Sequence, residues 1–311
     1  MPSEDGVPAL SAEALSHVAV DWGTSRLRAW AIDWHGEVLG SVASDAGMGG
    51  LQPSDFPVAL DEAIGAWLTV RPGVPVLCCG MVGARGGWQE VPYRAVGQAP
   101  LVVNELADIG QLNGSPVRVV PGLAQRTPAD IMRGEETQVA GLVASGITDA
   151  LVCLPGSHSK WVTVLGGCVA AFTTALTGEA FAAFRHHTVL RLTVSRADAF
   201  DSPAFEAAVQ EALDDPRQVL TALFRLRAEA LLNGLGADAA QARLSGWLIG
   251  VEIGSVVSSC RQHGTVHLVG ERKLARRYAR ALALIEVASV VHDPTDCVLA
   301  GLALARQTNE E

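Results

Sequence analysis

The chain has 311 residues, more than one hydrophobic core commonly serves, so two domains of about 150 residues each are expected. Its 49% apolar and 18% charged residues, with 32 glycines, describe a well-packed α/β protein and exclude a disordered or coiled-coil chain. A net charge of -10 with no Lys/Arg-rich run excludes the concentrated basic face that nucleic-acid binding needs.

Residues 1–16 are acidic and polar, without the basic-then-apolar order of a signal peptide, and read as a loose leader. Three short strands follow, from 17 to 21, 26 to 33 and 37 to 43, separated by the turns Gly23-Thr24-Ser25 and Trp34-His35-Gly36. Residues 55–70 carry helical spacing at Phe56, Leu60, Ile64, Trp67 and Leu68, and the helix ends at Pro72-Gly73 before an apolar strand at 74–79. Residues 80–87 form a glycine-rich loop with one cation, Arg85. Strand-like pieces at 101–106 and 116–120 lead to Arg133-Gly134-Glu135-Glu136-Thr137, where a helix begins and runs to 145.

After Gly146 the opening pattern recurs. A strand at 151–154, the turn Pro155-Gly156-Ser157, and strands at 160–165 and 168–174 repeat the first meander. The two halves therefore read as duplicated domains, 17–146 and 147–311, with the last helix able to pack back on the first. Helices are expected at 177–190, 202–213, 217–232, 237–259, 272–284 and 296–306, with a strand at 265–269. The stretch 244–257 contains Glu252 and is too short to cross a bilayer of about 30 Å. The six cysteines lack a Cys-x-x-Cys spacing and sit mostly in apolar runs, which fits small core residues in a reducing compartment.

Several constellations carry chemistry. Asp21-Trp22-Gly23-Thr24-Ser25 sets a carboxylate beside backbone N–H groups and hydroxyls, a nest for phosphate oxygens with a ligand for hydrated Mg2+. Gly156-Ser157-His158-Ser159-Lys160 stands at the matching place in the second half. Either turn alone could be an ordinary hairpin; two in register suggest a clamp on one triphosphate. Strand, Gly270 and helix could place backbone at an adenine or ribose, although this is also the commonest α/β connection. Glu135 and Glu136 could supply the carboxylate that phosphoryl transfer to an alcohol requires, or could simply complement the helix dipole. The loops 47–51 and 80–85, with Arg85, suit a carboxylate-bearing polyol.

The runs Val-Asp-Trp-Gly-Thr-Ser-x-Leu-Arg-Ala-Trp (20–30), Asp-x-Gly-Met-Gly-Gly-Leu (45–51), Cys-Gly-Met-Val-Gly-x-Arg-x-Gly-Trp (79–88), Met-Arg-Gly-Glu-Glu-Thr-Gln (132–138), Leu-Pro-Gly-x-His-Ser-Lys-Trp-Val (154–162) and Thr-Gly-Glu-x-Phe (177–181) resemble the 2-dehydro-3-deoxygalactonokinase family. That family belongs to the actin, sugar kinase and heat-shock ATPase superfamily. The resemblance implies an α/β protein of two ribonuclease H-like lobes of the actin/sugar kinase type with an interlobe active-site cleft. It implies ATP and Mg2+ as cofactors, with Asp21 the metal-associated carboxylate. Gly23, Thr24, Ser25 and Arg28 would bind phosphate at the first loop, Gly156, Ser157, His158 and Lys160 at the second, and Gly270 would open the adenosine motif. There Glu271-Arg272 departs from the second glycine common in sugar kinases.

By the same resemblance Glu136, with Glu135 as the alternative, is the general base. Arg85 and Arg133 would hold the substrate carboxylate in a pocket shaped by Gly49, Gly50, Gly83, Trp88 and Tyr93. The implied reaction phosphorylates the 6-hydroxyl of 2-dehydro-3-deoxy-D-galactonate. A kinase for another sugar acid or polyol, or a non-catalytic sensor on the same fold, is the alternative. A cytoplasmic enzyme with a small-molecule sugar acid as partner, no nucleic acid and no membrane is expected, and a homodimer is left open.

Overall fold

The computed structural model describes residues 11–195 and 200–306, which form two compact units. One comprises the described residues up to Thr148 with Gly166–Ala170 and those from Thr295 onward; the other comprises Asp149–Leu165 and Ala171–Pro294. No helix among the described residues is long and apolar enough to cross a membrane.

The first unit opens with the meander β1 (Leu15–Trp22), β2 (Leu27–Asp33) and β3 (Val38–Ser44), followed by α1 (Phe56–Val70) and β4 (Val76–Gly80). The first strand starts two residues before its expected position, because Leu15 is fully buried in the core and Ser16 is 3% exposed. The end of the expected leader is thus part of the sheet, and its residues 1–10 lie outside the described residues. Next come β5 (Arg94–Ala95), β6 (Ala107–Leu112), β7 (Ser115–Val119), β8 (Leu123–Arg126), β9 (Ala129–Met132) and α2 (Glu135–Ala144).

The main sheet has the order β3-β2-β1-β4-β7-β6, with β1, β4 and β7 parallel. Strand alternation divides β1 between two cores. Val18, Val20 and Trp22 pack with Phe56, Leu60 and Ile64 of α1, whereas Ala19 joins Leu77, Cys79 and Ala140 on the opposite face. Sequence patterning missed β6 and the hairpin β8–β9, and put a strand at 101–106 where only a 3-10 turn, Val103–Glu105, forms. In β6 an irregularity between Asp108 and Gly110 breaks the alternation that marks a strand.

The second unit contains β10 (Ala150–Leu154), β11 (Ser159–Leu165), β12 (Cys168–Ala175) from Ala171 onward, α3 (Thr177–His187), α4 (Ser202–Asp214), α5 (Val219–Leu232), α6 (Ala237–His263), β13 (Thr265–Val269), α7 (Arg272–Ala283) and β14 (Ala288–His292). Its sheet has the order β12-β11-β10-β13-β14. Both sheets share one plan, an antiparallel meander whose first strand then pairs in parallel with a strand reached through helix, and this is the ribonuclease H-like arrangement. The core gathers Phe205, Val209, Ile249 and Ile253 of α4 and α6 against Leu151, Val266 and Leu268.

The final helix, α8 (Pro294–Arg306), puts Val298, Leu302 and Ala305 into the first unit's core beside Ala19 and Ala140. It crosses α2 at two glycines. A β-carbon on Gly141 would lie 2.0 Å from the Cys297 carbonyl oxygen, and one on Gly301 would lie 2.1 Å from that of Thr137. The two backbones therefore touch with no side chain between them.

Candidate functional site

In the first unit three backbone segments converge. Gly80, at the end of β4, has φ +86°, and a β-carbon there would fall 2.5 Å from the Trp22 carbonyl oxygen at the end of β1. Gly134, before α2, has φ +108° and would bring a β-carbon to 3.2 Å from Gly80 Cα. Only glycine satisfies both the backbone angle and the close approach. The convergence sets Asp21, Cys79 and Glu136 side by side. The Cys79 thiol lies 3.8 Å from Asp21 Oδ1, and burial together with the carboxylates of Asp21 and Glu136 pushes its pKa well up.

Glu136 is fully buried. Its Oε2 accepts from the Gly134 N–H at 2.7 Å and its Oε1 from the Thr137 hydroxyl at 3.1 Å. Burial, with the neighbouring Glu135 second, pushes its pKa up to about 8, since little water remains to solvate the charge. Glu135 instead accepts from the Arg133 N–H at 3.0 Å. The raised pKa of Glu136 suits proton transfer near neutrality.

Arg133 is 8% exposed. Its Nη2 donates to the Val91 carbonyl at 2.6 Å and its guanidinium lies over the Tyr93 ring, 4.2 Å from the centroid. Nε and Nη1 have no hydrogen-bond partner. Gly83 borders Nη1, where a β-carbon would stand only 3.0 Å away. Trp88 packs half-buried against the α1 core, and Arg85 is exposed in the same loop.

The first turn is held by its neighbours. Gly23 N–H donates to Arg26 O at 2.8 Å, Met48 N–H to Gly23 O at 3.2 Å and Gly49 N–H to Thr24 O at 2.9 Å, so residues 48–50 buttress the loop. Arg28 is ion-paired with Asp21 Oδ2. Among the described residues no group of three or more His, Cys, Asp or Glu could hold a metal ion. The part-exposed Asp21 carboxylate still fits Mg2+, which binds through one or two carboxylates, water and substrate phosphate.

In the second unit the turn at Gly156-Ser157 rests on the start of α3. A β-carbon on Gly178 would fall 2.3 Å from Gly156 O, and Glu179 N–H donates to Ser157 O at 2.9 Å. His158 Nε2 lies 2.5 Å from Glu179 Oε2. Gly270 backs onto Pro155, where a β-carbon would be 3.2 Å from the carbonyl oxygen. Beside this loop is a cavity of about 240 Å3, lined by Gly156, Thr177, Phe181, Leu274, Arg277 and Tyr278 among others. Lys160 is not at the loop surface; it is buried and donates to the Thr174 hydroxyl at 2.8 Å.

Sequence reasoning missed the buried network beneath this loop. Glu252, 4% exposed, accepts from Trp161 Nε1 and from the Tyr278 hydroxyl, each at 2.7 Å, and Ser159 Oγ lies 2.8 Å from that hydroxyl. Burial raises the Glu252 pKa while the bonds from Thr177, Tyr278, Trp161 and Ser159 oppose the rise. A single acid inside the apolar stretch 244–257, at 252, was its only signal.

Comparison with known proteins identifies a family. Residues 21–305 match the sequence model of the 2-keto-3-deoxy-galactonokinase family. A Rhizobium meliloti (strain 1021) protein named as a 2-dehydro-3-deoxygalactonokinase is 39% identical over 93% of this chain and 96% of its own. The 2-dehydro-3-deoxygalactonokinase of Escherichia coli (strain K12) is 31% identical over 85% of this chain and 88% of its own. A crystal structure from Sinorhizobium meliloti, described as a 2-dehydro-3-deoxygalactonokinase, superposes with a TM-score of 0.86 at 38% identity, over 93% of this chain and 97% of that one. A buried carboxyl at the start of α2, glycine-shaped turns on both sheets and these relatives lead to one conclusion: the chain belongs to the 2-keto-3-deoxy-galactonokinase family.

Proposed function

We propose that this kinase transfers the terminal phosphoryl group of ATP to the 6-hydroxyl of 2-dehydro-3-deoxy-D-galactonate. The observation that carries the proposal lies at the junction of β9 and α2. Three residues apart there stand a buried guanidinium with two unpartnered N–H groups, Arg133, and a buried carboxyl raised to about 8, Glu136. A buried cation with unused donors calls for an anion, and a sugar acid supplies a carboxylate.

In this reading Arg133 and Arg85 hold the substrate carboxylate, and Gly49, Gly50, Gly83, Trp88 and Tyr93 shape the surrounding wall. Glu136, in its ionised form, accepts the proton of the 6-hydroxyl as that oxygen bonds to the γ-phosphorus and the bond to ADP breaks. Glu135 orders the backbone before the base. Gly23, Thr24 and Ser25 offer N–H groups and hydroxyls to phosphate, with Arg28 drawn from its partner Asp21 toward the same charge. Mg2+ held through its water shell at Asp21 would neutralise part of the triphosphate charge. Gly156, Ser157 and His158 bind phosphate in the second unit, and the adjoining cavity, with Gly270 behind the loop, accepts the nucleoside. Lys160 contributes indirectly, by fixing β11 through Thr174. A cytoplasmic location is supported by free cysteines that are mostly buried.

The test is a steady-state assay of ATP-dependent phosphorylation on the galactonate- and gluconate-derived 2-keto-3-deoxy acids, alongside glycerol and hexoses. The proposal expects turnover on the galactonate-derived acid above the others. Activity confined to glycerol or hexoses overturns the substrate, and ligand binding without turnover overturns the kinase reaction.

A further inference from the structure

Helix α5 carries two apolar lines. Val219, Ala222, Leu223 and Leu226 face the core of the second unit. On the other side Leu220 is 77% exposed, Phe224 64% and Leu231 66%. With Arg227 these residues follow one another at spacings of four, three and four, which is the seam by which one helix packs along another. Leu232, 80% exposed, and Leu192, 59% exposed, widen the patch. Leu192 belongs to the turn Val189–Leu192, held near α5 by a long hydrogen bond from Arg227 Nη1 to Thr193 Oγ1 of 3.5 Å.

Taking about 150–200 Å2 for a fully exposed large side chain, these five leave roughly 500–700 Å2 of apolar surface in water. A typical monomer's largest apolar patch is about 300–600 Å2. Each partner in a standard interface contributes about 800 Å2. The patch is thus large enough to be the apolar centre of such an interface.

We propose that this face joins two copies of the chain, with α5 packed antiparallel on its counterpart about a two-fold axis. The occupant is a second copy because the seam is complementary to itself in that direction. A two-fold axis between positions 225 and 226 sets Leu220 against the partner's Leu231 and Phe224 against the partner's Arg227. Leucine then meets leucine, and each cation meets a ring face. The parallel alternative places Arg227 against Arg227, like charge on like charge, and loses that match.

Sedimentation equilibrium on the full chain tests the proposal. Wild type is expected at twice the chain mass of 32.5 kDa. The double variant Leu220→Lys, Leu231→Lys, which sets cation against cation, is expected at the single mass with turnover unchanged, because neither residue belongs to the ligand sites. Leu220→Lys with Leu231→Glu restores opposite charges across the axis and is expected to recover the double mass. Under oxidation, Leu220→Cys with Leu231→Cys cross-links two copies, while Leu220→Cys alone does not. Wild type at single mass throughout, double mass retained by the Lys pair, or cross-linking by Leu220→Cys alone overturns the antiparallel interface.

Discussion

Replacing Glu136 by glutamine separates what this carboxyl does for chemistry from what it does to stability. The folded protein holds the Glu136 proton up to about pH 8, whereas an unfolded chain releases it near 4.5. Between those limits the folded state binds more protons, so stability falls as pH rises, by about 1.4 kcal/mol per pH unit and about 5 kcal/mol in all. Glutamine keeps the shape and can still accept from Gly134 and bond Thr137, but it carries no charge to bury. The unfolding free energy of Glu136→Gln should therefore draw ahead of wild type as pH rises from about 5 to 8, and the gap should stop growing above that. Turnover should fall by roughly 100- to 10,000-fold, the usual contribution of a general base. Wild-type kcat/KM should in turn rise with pH up to about 8, as the base form appears. Denaturant unfolding of both proteins across that range, with kinetics on the same samples, provides the assay. Parallel stability curves would refute the burial argument. Near-normal turnover in Glu136→Gln, together with an inactive Glu135→Gln, would move the base by one residue.

Other expectations concern single positions. Arg133→Lys keeps a cation but loses the fork and the stacking on Tyr93, so KM for the sugar acid should rise about 10- to 100-fold with a smaller change in kcat, measured at saturating ATP. Gly178→Ala places a methyl within 2.3 Å of Gly156 O and must shift the second loop, so KM for ATP should rise while binding of the sugar acid, followed by calorimetry, stays unchanged. Glu252→Gln leaves at least one of its buried donors without an acceptor. It should lower stability by about 1–3 kcal/mol in a thermal melt and weaken ATP binding more than sugar-acid binding.

The framework was legible because its signals are local. Alternation in β1 and β2, the 3.6-residue spacing of Phe56, Leu60 and Ile64, and the turns at Gly23 and Gly156 each sit within a few residues of what they specify. Glu136 could be picked out as a candidate because acids at a helix start are easily seen. Its complete burial was hidden, since the Gly80–Gly134 contact beside it joins distant parts of the chain. Arg133 looked secondary to Arg85 for the same reason: its stacking on Tyr93 and its contact with Val91 depend on a fold that reverses over about forty residues. Strands β6 and β14 escaped because neither shows clean alternation; β14 is largely exposed at a sheet edge. The Glu252 network joins residues from four separate elements, which no single window can reveal.

The glycine crossing of α2 and α8 bears on the order of biosynthesis. The helix that carries Glu136 meets its final neighbour only after the entire second unit has left the ribosome, because α8 follows it in the chain. Until then the side of α2 that carries Thr137, Ala140 and Gly141 is open to water. A first unit still awaiting α8 therefore has α2 unpinned on that face, and its core closes only after the second unit has been made.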